Sequence, residues 1–230
     1  EKNITIKSIL IYLPDEKIMH LGDNLFFEPL ANNLTKLGFK VFICPINAMQ
    51  FYFSDLGYKI ANDTKLSKYD LIISKTDFYW RLRGLKNQIL LIDTTSLKIK
   101  SPLCDDIVNK VFDELKLKIK SKNFTPSLLN YPLDTSKFSF IKKSDKYIIF
   151  NNYINSGSIR SGVNHQKLII KFIKNLKEST GCKVIHSGSR KDKLNDLNKY
   201  DFVDFDIRGK SSVKEIIALC AHKNLIYNVS

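Results

Sequence analysis

A chain of 230 residues, 43% hydrophobic and 26% charged, can bury one large core or two small ones, and this composition excludes a disordered tract. The net charge of +14, from 37 basic and 23 acidic residues, points to partners rich in negative charge: nucleic acid, an anionic membrane surface or phosphorylated substrates. Cys44, Cys104, Cys182 and Cys220 lie far apart with no CxxC pair, and no run reaches the ~18 apolar residues of a membrane span or the core of a signal peptide. The expectation is a cytoplasmic protein in a reducing compartment, with peripheral contact at the inner face of the membrane.

Residues 8–13, SILIYL, form a continuous apolar run of the kind that fits a strand covered on both faces. Pro14 ends it. Gly22 and Asp23 then form a turn into a helix whose apolar positions Leu25, Phe26, Pro29, Leu30, Leu34 and Leu37 repeat at helical spacing up to Gly38. Gly22 can adopt backbone angles forbidden to other residues, and Asp23 either caps the helix or faces a cleft. Residues 39–44, FKVFIC, make the second strand of a βαβ unit with parallel pairing. Strands are also expected at 69–74 and 88–93. Between them, KTDFYWRLRG places the single Trp beside Arg81 and Arg83, a combination suited either to an anionic acceptor or to a surface helix with one packed aromatic.

A helix at 105–117 is followed by a polar stretch, 121–144, that carries Pro126 and Pro132 without a sustained period and reads as a linker. The alternation then restarts: strand 146–152, helix 163–177 with Leu168, Ile169, Phe172, Ile173 and Leu176 on one face, strand 182–186, short helix 191–199, strand 202–206, helix 211–220 and strand 224–229. The fold class is therefore α/β with two Rossmann-like domains, 1–145 and 146–230. The second is expected to be incomplete at its C-terminus, as in a fragment.

In such sheets ligands bind beyond the carboxyl ends of the strands, where helix N-termini offer amides. Three loops lie there: NNYINSGSIRSG from Asn151, with Arg160 just before a helix; Ser187-Gly188-Ser189-Arg190; and DIRGKSS from Asp206, with Gly209 and Ser211. None matches a GxGxxG or GxxxxGKS motif, but three small-residue loops in register suit an anionic ligand. His20, His165, His186 and His222 show no metal-ligand spacing, and Asp204-Phe205-Asp206 has the letters of a metal-diphosphate motif without its usual context.

The run 205–230, FDIRGKSSVKEIIALCAHKNLIYNVS, is similar to the D-L-x-G-K-T-S-L-x-E-L-A-A-L segment of the ADP-heptose:lipopolysaccharide heptosyltransferases, glycosyltransferase family 9, which have a GT-B fold. Residues 21–37 resemble that family's x-G-D-x-(apolar)-x-x-P-x-x-x-x-L segment. The two stretches cover under a quarter of the chain. The resemblance implies transfer of a sugar from a nucleotide-diphosphate donor to a lipopolysaccharide or other surface-glycan acceptor, without a metal or other cofactor. Asp23 would take the proton of the acceptor hydroxyl, with Asp15 as the nearest substitute because the loop 14–20 departs from the family's shorter turn. Donor contacts would come from Asn152, Ser156, Arg160, Ser187, Gly188, Ser189, Gly209 and Lys210, and acceptor contacts from Gly22, His20 and Arg81. By the resemblance, the family's acidic-Ser/Thr-Gly-x-x-His segment would fall after Ser230. Two other functions fit the same architecture and charge: a nucleotide-sugar epimerase, or a non-catalytic basic module binding nucleic acid or anionic glycan. The resemblance favours transfer, with no nucleic acid as partner.

Overall fold

The structure is a computed structural model, which describes residues 6–14, 21–62, 65–94, 103–127, 136–142, 144–151, 155–156, 159–160, 163–195 and 198–229. The chain divides into two compact units, Glu1–Leu129 and Asn130–Ser230.

In the first unit, strands β1 (Ser8–Tyr12), β2 (Lys40–Cys44), β3 (Lys59–Ile60), β4 (Leu71–Lys75) and β5 (Gln88–Ile92) form a parallel sheet in the order β3-β2-β1-β4-β5. The central strands β1 and β4 are almost wholly buried, as their apolar runs at 9–12 and 71–73 require. Complete burial of each Ile or Leu there contributes ~1.5–3 kcal/mol. Helix α1 (Leu21–Lys36) packs on helix α4 (Leu103–Glu114), which turns Ile107, Val108, Val111 and Phe112 inward. Asp70 ties the start of β1 to the neighbouring strand by accepting from Lys7 N, Ser8 N and Ser8 Oγ at 2.8–2.9 Å, contacts that hold its carboxyl below the usual range. The two-residue β3 has too little pattern to be read from sequence; it exists because Ala61 N and the preceding residues extend the β2 edge.

Two expectations need correction here. Helix α1 begins at Leu21, so Gly22 and Asp23 belong to its first turn and do not form a turn preceding it, and Gly22 is not among the glycines with positive φ. A Cβ at Gly22 would meet only the Phe26 ring at 3.8 Å. Pro29 lies inside a continuous helix, where it removes one backbone donor; Asn33 Nδ2 donates to the Pro29 carbonyl at 2.8 Å one turn later. The start of the expected linker is built into the first unit. Buried Glu28 accepts from Ser127 N at 2.9 Å, Ser127 Oγ at 3.1 Å and Tyr58 Oη at 2.9 Å, while Asn33 and Asn123 exchange amide hydrogen bonds and Tyr52 Oη donates to the Ser127 carbonyl. A carboxylate inside a protein needs donors, and this segment supplies them. The same carboxylate and burial push the Tyr52 hydroxyl up to about 12, burial being the larger cause.

In the second unit, strands β6 (Tyr147–Phe150), β9 (Lys183–His186), β10 (Phe205–Asp206) and β11 (Leu225–Val229) form a parallel sheet in the order β10-β9-β6-β11. A short antiparallel ladder joins β7 (Asn155–Ser156) to β8 (Ile159–Arg160). Phe138, from the expected linker, packs with Tyr147, Ile149, Ile185, Ile207 and Leu219, and Phe140 stacks on Phe205 with centroids 4.1 Å apart. On helix α5 (Val163–Thr180) the buried stripe is narrower than the sequence implied: Ile169 and Ile173 enter the core, but Leu168 and Phe172 are 66% and 53% exposed. The sequence reads apolar spacing; the pitch of the helix against β6 and β9 decides which residues of the stripe reach the sheet. The strand expected at 202–206 is shortened to 205–206 because Phe202 turns into the core beside Phe150.

Candidate functional site

Strand order in the first sheet reverses between β1 and β4, and the carboxyl ends of these two strands carry a polar cluster. Tyr12 pairs with Ser74 in the strand register, and Ser74 Oγ donates to the Tyr12 carbonyl at 2.6 Å. One residue further, Lys75 extends from the end of β4 with 7% of its surface exposed, placing Nζ 3.2 Å from Asp23 Oδ1 and 3.4 Å from Asp77 Oδ2. Arg81, in the single turn α3 (Tyr79–Leu82), directs Nη1 to the Tyr12 hydroxyl at 3.4 Å and sets its guanidinium 4.9 Å from the centre of the Trp80 ring. Asn24 Oδ1 accepts from Ile46 N at 3.2 Å, which fastens the first turn of α1 to the loop after β2.

Thus Gly22, Asp23 and Arg81, singled out on the sequence for different reasons, belong to one strand-end cluster. Asp23 lies inside the first helical turn, where the positive end of the helix favours an anion, and its carboxylate faces a nearly buried ammonium group. Lys75 is the residue that sequence reading missed. The only signal was a lysine closing an apolar strand, where the side chain must either be paired or reach solvent. His20 and Asp15 lie outside the described residues.

In the second unit the loops after β9 and β10 come together. Gly209 N donates to the Gly188 carbonyl at 2.9 Å, and a Cβ at Gly209 (φ +69°) would stand 2.9 Å from Arg190 Cα, so the close approach of the two backbones requires glycine. The small polar residues here do structural work of their own. Ser187 Oγ donates to the Phe150 carbonyl at 3.1 Å; Ser189 and Asp192 bridge each other's backbone at the start of α6 (Arg190–Asn195); Lys210 Nζ folds back on the Asp206 carbonyl at 3.1 Å. Backbone is described for Ser156 and Arg160, on β7 and β8, but their side chains and Asn152 lie outside the described residues.

The strongest polar unit near these loops is one that sequence reading did not select. Arg208, 3% exposed, forks onto Asp206 with Nε to Oδ1 at 3.0 Å and Nη2 to Oδ2 at 2.9 Å, and Nη2 also reaches the Asn198 carbonyl. Burial pulls the Asp206 carboxyl upward, but the guanidinium and the Arg208 N–H more than offset it and bring its pKa down to about 2. His186, buried at the end of β9, stacks on Phe150 with ring centres 4.2 Å apart. His186, Asp206 and Arg208 line a half-open cavity of about 390 Å³ together with Asn198, Tyr200 and Asp204. Asp204 is held by Lys177 at 2.7 Å and Lys183 at 3.6 Å. Both aspartates of the Asp204-Phe205-Asp206 run are therefore engaged by cationic side chains. The i, i+2 spacing of Asp206 and Arg208 at a strand end was the available signal.

Among the described residues no helix is long and apolar enough to cross a membrane. No protein-family profile matches the chain, and no curated sequence matches it. Solved structures do share its architecture. A family 9 glycosyl transferase from Veillonella parvula DSM 2008 aligns with a TM-score of 0.64 and 14% identity over 96% of this chain and 76% of its own. The Escherichia coli ADP-heptose lipopolysaccharide heptosyltransferase II gives 0.57 and 14% over 96% and 78%. An E. coli heptosyltransferase structure with ADP-2-deoxy-2-fluoro heptose gives 0.59 and 11% over 96% and 82%. The chain has the fold of these glycosyltransferases, a GT-B-like class with a parallel Rossmann-like sheet in each unit.

Proposed function

We propose that the protein is a glycosyltransferase that moves a sugar from a nucleoside-diphosphate donor to a lipopolysaccharide or other surface-glycan acceptor. The observation that carries the proposal is the position of Asp23, a carboxylate in the first turn of α1 at the strand-order reversal of a fold common to such enzymes. An alcohol becomes a competent nucleophile as its proton leaves, and a fixed carboxylate can accept that proton; Asp23 is the general base in this reading. Lys75 fixes the direction of the carboxylate, and Gly22, Arg81 and His20 serve the acceptor.

The donor belongs to the second unit. In this reading the loops at Ser187, Gly188, Ser189 and Gly209, with Asn152, Ser156, Arg160 and Lys210, flank the diphosphate as it leaves. Preorganised amides and cations can stabilise that growing charge without a metal, so the transfer is read as metal-independent. The net charge of +14 supports attachment at an anionic cytoplasmic membrane face where a lipid-linked acceptor would be found.

The test is acceptor-dependent release of nucleoside diphosphate by the full chain, followed by chromatography with ADP-, UDP- and GDP-sugars in the presence of chelator, alongside Asp23→Asn. Transfer that survives chelation and falls ~10²–10⁴-fold in the variant is the expected result. Conversion of the donor sugar without any acceptor would identify an epimerase instead.

A further inference from the structure

One helix face of the second unit carries apolar surface that its core does not use. Strand order β10-β9-β6-β11 makes the connections from β6 to β9 and from β9 to β10 run in the same direction, and right-handed crossovers set α5 and α6 on one side of the sheet. Helix α5 packs there through Ile169 and Ile173 against Ile148, Phe150 and Val184, while α7 (Val213–Cys220) covers the opposite side through Leu219. Leu168 and Phe172 each precede one of these core isoleucines by one position, which turns them ~100° about the helix axis. They stand one turn apart on the solvent side, each more than half exposed. Leu194 on α6 is exposed as well.

Lys167, Lys171 and Lys174 are exposed beside this pair, and the only acidic residue of α5 is Glu178, one turn beyond Lys174. Residues 163–195 hold eight Lys or Arg against two acidic residues. A single exposed apolar side chain is ordinary, but Leu and Phe one turn apart and edged by ammonium groups have the make-up of a helix face that lies in a membrane interface. The apolar side chains enter the acyl boundary there, and the lysine stems reach over it to lipid phosphates. Other occupants fit less well. A second copy would set lysines against lysines, and three apolar side chains supply far less surface than the ~1,200–2,000 Å² of a stable interface. A polynucleotide would engage the cations and leave Leu168 and Phe172 in water.

We propose that the solvent face of α5 is a docking surface for an anionic lipid bilayer, with Leu168 and Phe172 entering the interface and Lys167, Lys171 and Lys174 pairing with lipid phosphates. The inference rests on the reading that the protein works at an anionic membrane face. It moves that attachment from the bulk charge of the chain to one helix of the second unit.

The test is flotation of the full chain with vesicles of phosphatidylcholine alone and of equal parts phosphatidylcholine and phosphatidylglycerol. The parent is expected to float with the anionic vesicles and not with the neutral ones. Leu168→Ser combined with Phe172→Ser should lower the partition coefficient ~10–100-fold. Lys167→Gln, Lys171→Gln and Lys174→Gln together should lower it about tenfold or more. Lys36→Gln, Lys118→Gln and Lys120→Gln, which remove the same charge from exposed positions of the first unit, should leave it nearly unchanged. Thermal melting shows whether each variant is folded. As a direct readout, Phe172→Trp in a Trp80→Phe background has a single tryptophan, whose emission should shift to the blue on anionic vesicles only. Equal losses in the two lysine sets, or a folded Leu168→Ser, Phe172→Ser variant that floats like the parent, overturns the inference and leaves attachment by net charge standing. A parent that does not float with anionic vesicles overturns both. A dimer in solution that Leu168→Ser with Phe172→Ser dissociates assigns the face to a second copy and also overturns the inference. Nucleoside diphosphate release with a soluble acceptor should be the same in the parent and the α5 variants, so a failure of docking is told apart from a failure of the transfer reading.

Discussion

Asp23 and Lys75, 52 residues apart in sequence, meet at 3.2 Å at the carboxyl ends of two adjacent parallel strands. The lysine is the less exposed partner and is shared with Asp77 at 3.4 Å, so removing it would leave two carboxylates close together without their common cation. Lys75→Met should lower kcat about 10–10²-fold, with a smaller effect on KM, because a carboxylate that loses its fixed direction loses the benefit of positioning. Lys75→Arg should restore part of the rate. Steady-state kinetics on the three proteins checks this; a fall in KM-limited binding alone would assign Lys75 to substrate contact.

Energetic coupling between the same two residues is separately measurable. In a double-mutant cycle of Asp23→Asn and Lys75→Met, urea unfolding followed through Trp80 should give a coupling of ~0.5–2 kcal/mol, since the pair is mostly shielded from water but not wholly buried. Additive effects would mean that the pair contributes nothing beyond its separate contacts.

Glu28 should be a stability residue of the first unit and not part of its chemistry. Glu28→Ala removes the acceptor of the Tyr58 hydroxyl and of the N–H and hydroxyl of Ser127 at a partly buried site, and a loss of ~1–3 kcal/mol is expected, with ~1 kcal/mol for Tyr58→Phe. Urea midpoints read by Trp80 fluorescence, in the same unit, provide the measurement.

Acid should weaken the second unit through Asp206. Its carboxyl is depressed from 3.8 to about 2, so it stabilises the fold above pH 3.8, and that contribution disappears as the pH falls through 2. With a third of the side chain exposed, screening reduces the expected contribution to about 1 kcal/mol. Asp204, also depressed, acts in the same direction. Amide hydrogen exchange in β9 and β10 between pH 4 and 2 should accelerate in the parent protein and change less in Asp206→Asn.

Gly209→Ala should destabilise the second unit by ~1–3 kcal/mol, because the new Cβ both occupies a left-handed conformation and lies 2.9 Å from a backbone atom of Arg190. Gly22→Ala, by contrast, is expected to be neutral or slightly stabilising: the position is helical and the nearest neighbour is the edge of a ring at 3.8 Å. Thermal melts of the two variants distinguish them.

Apolar patterning in the sequence was enough to set out the longer alternating strands and helices and the parallel pairing of the two main sheets, because runs such as SILIY and YIIF can be satisfied only by burial on both faces. Asp23 and Arg81 were legible as chemistry-bearing residues at strand exits. The tertiary structure alone decided that Lys75 faces Asp23, that Arg208 grips Asp206, that 122–127 serves Glu28 and not a free linker, and that Leu168 and Phe172 turn outward. Each of these depends on which distant segment supplies a partner for a charge or a surface for an apolar side chain, and local spacing along a chain carries no information about groups brought together across strands.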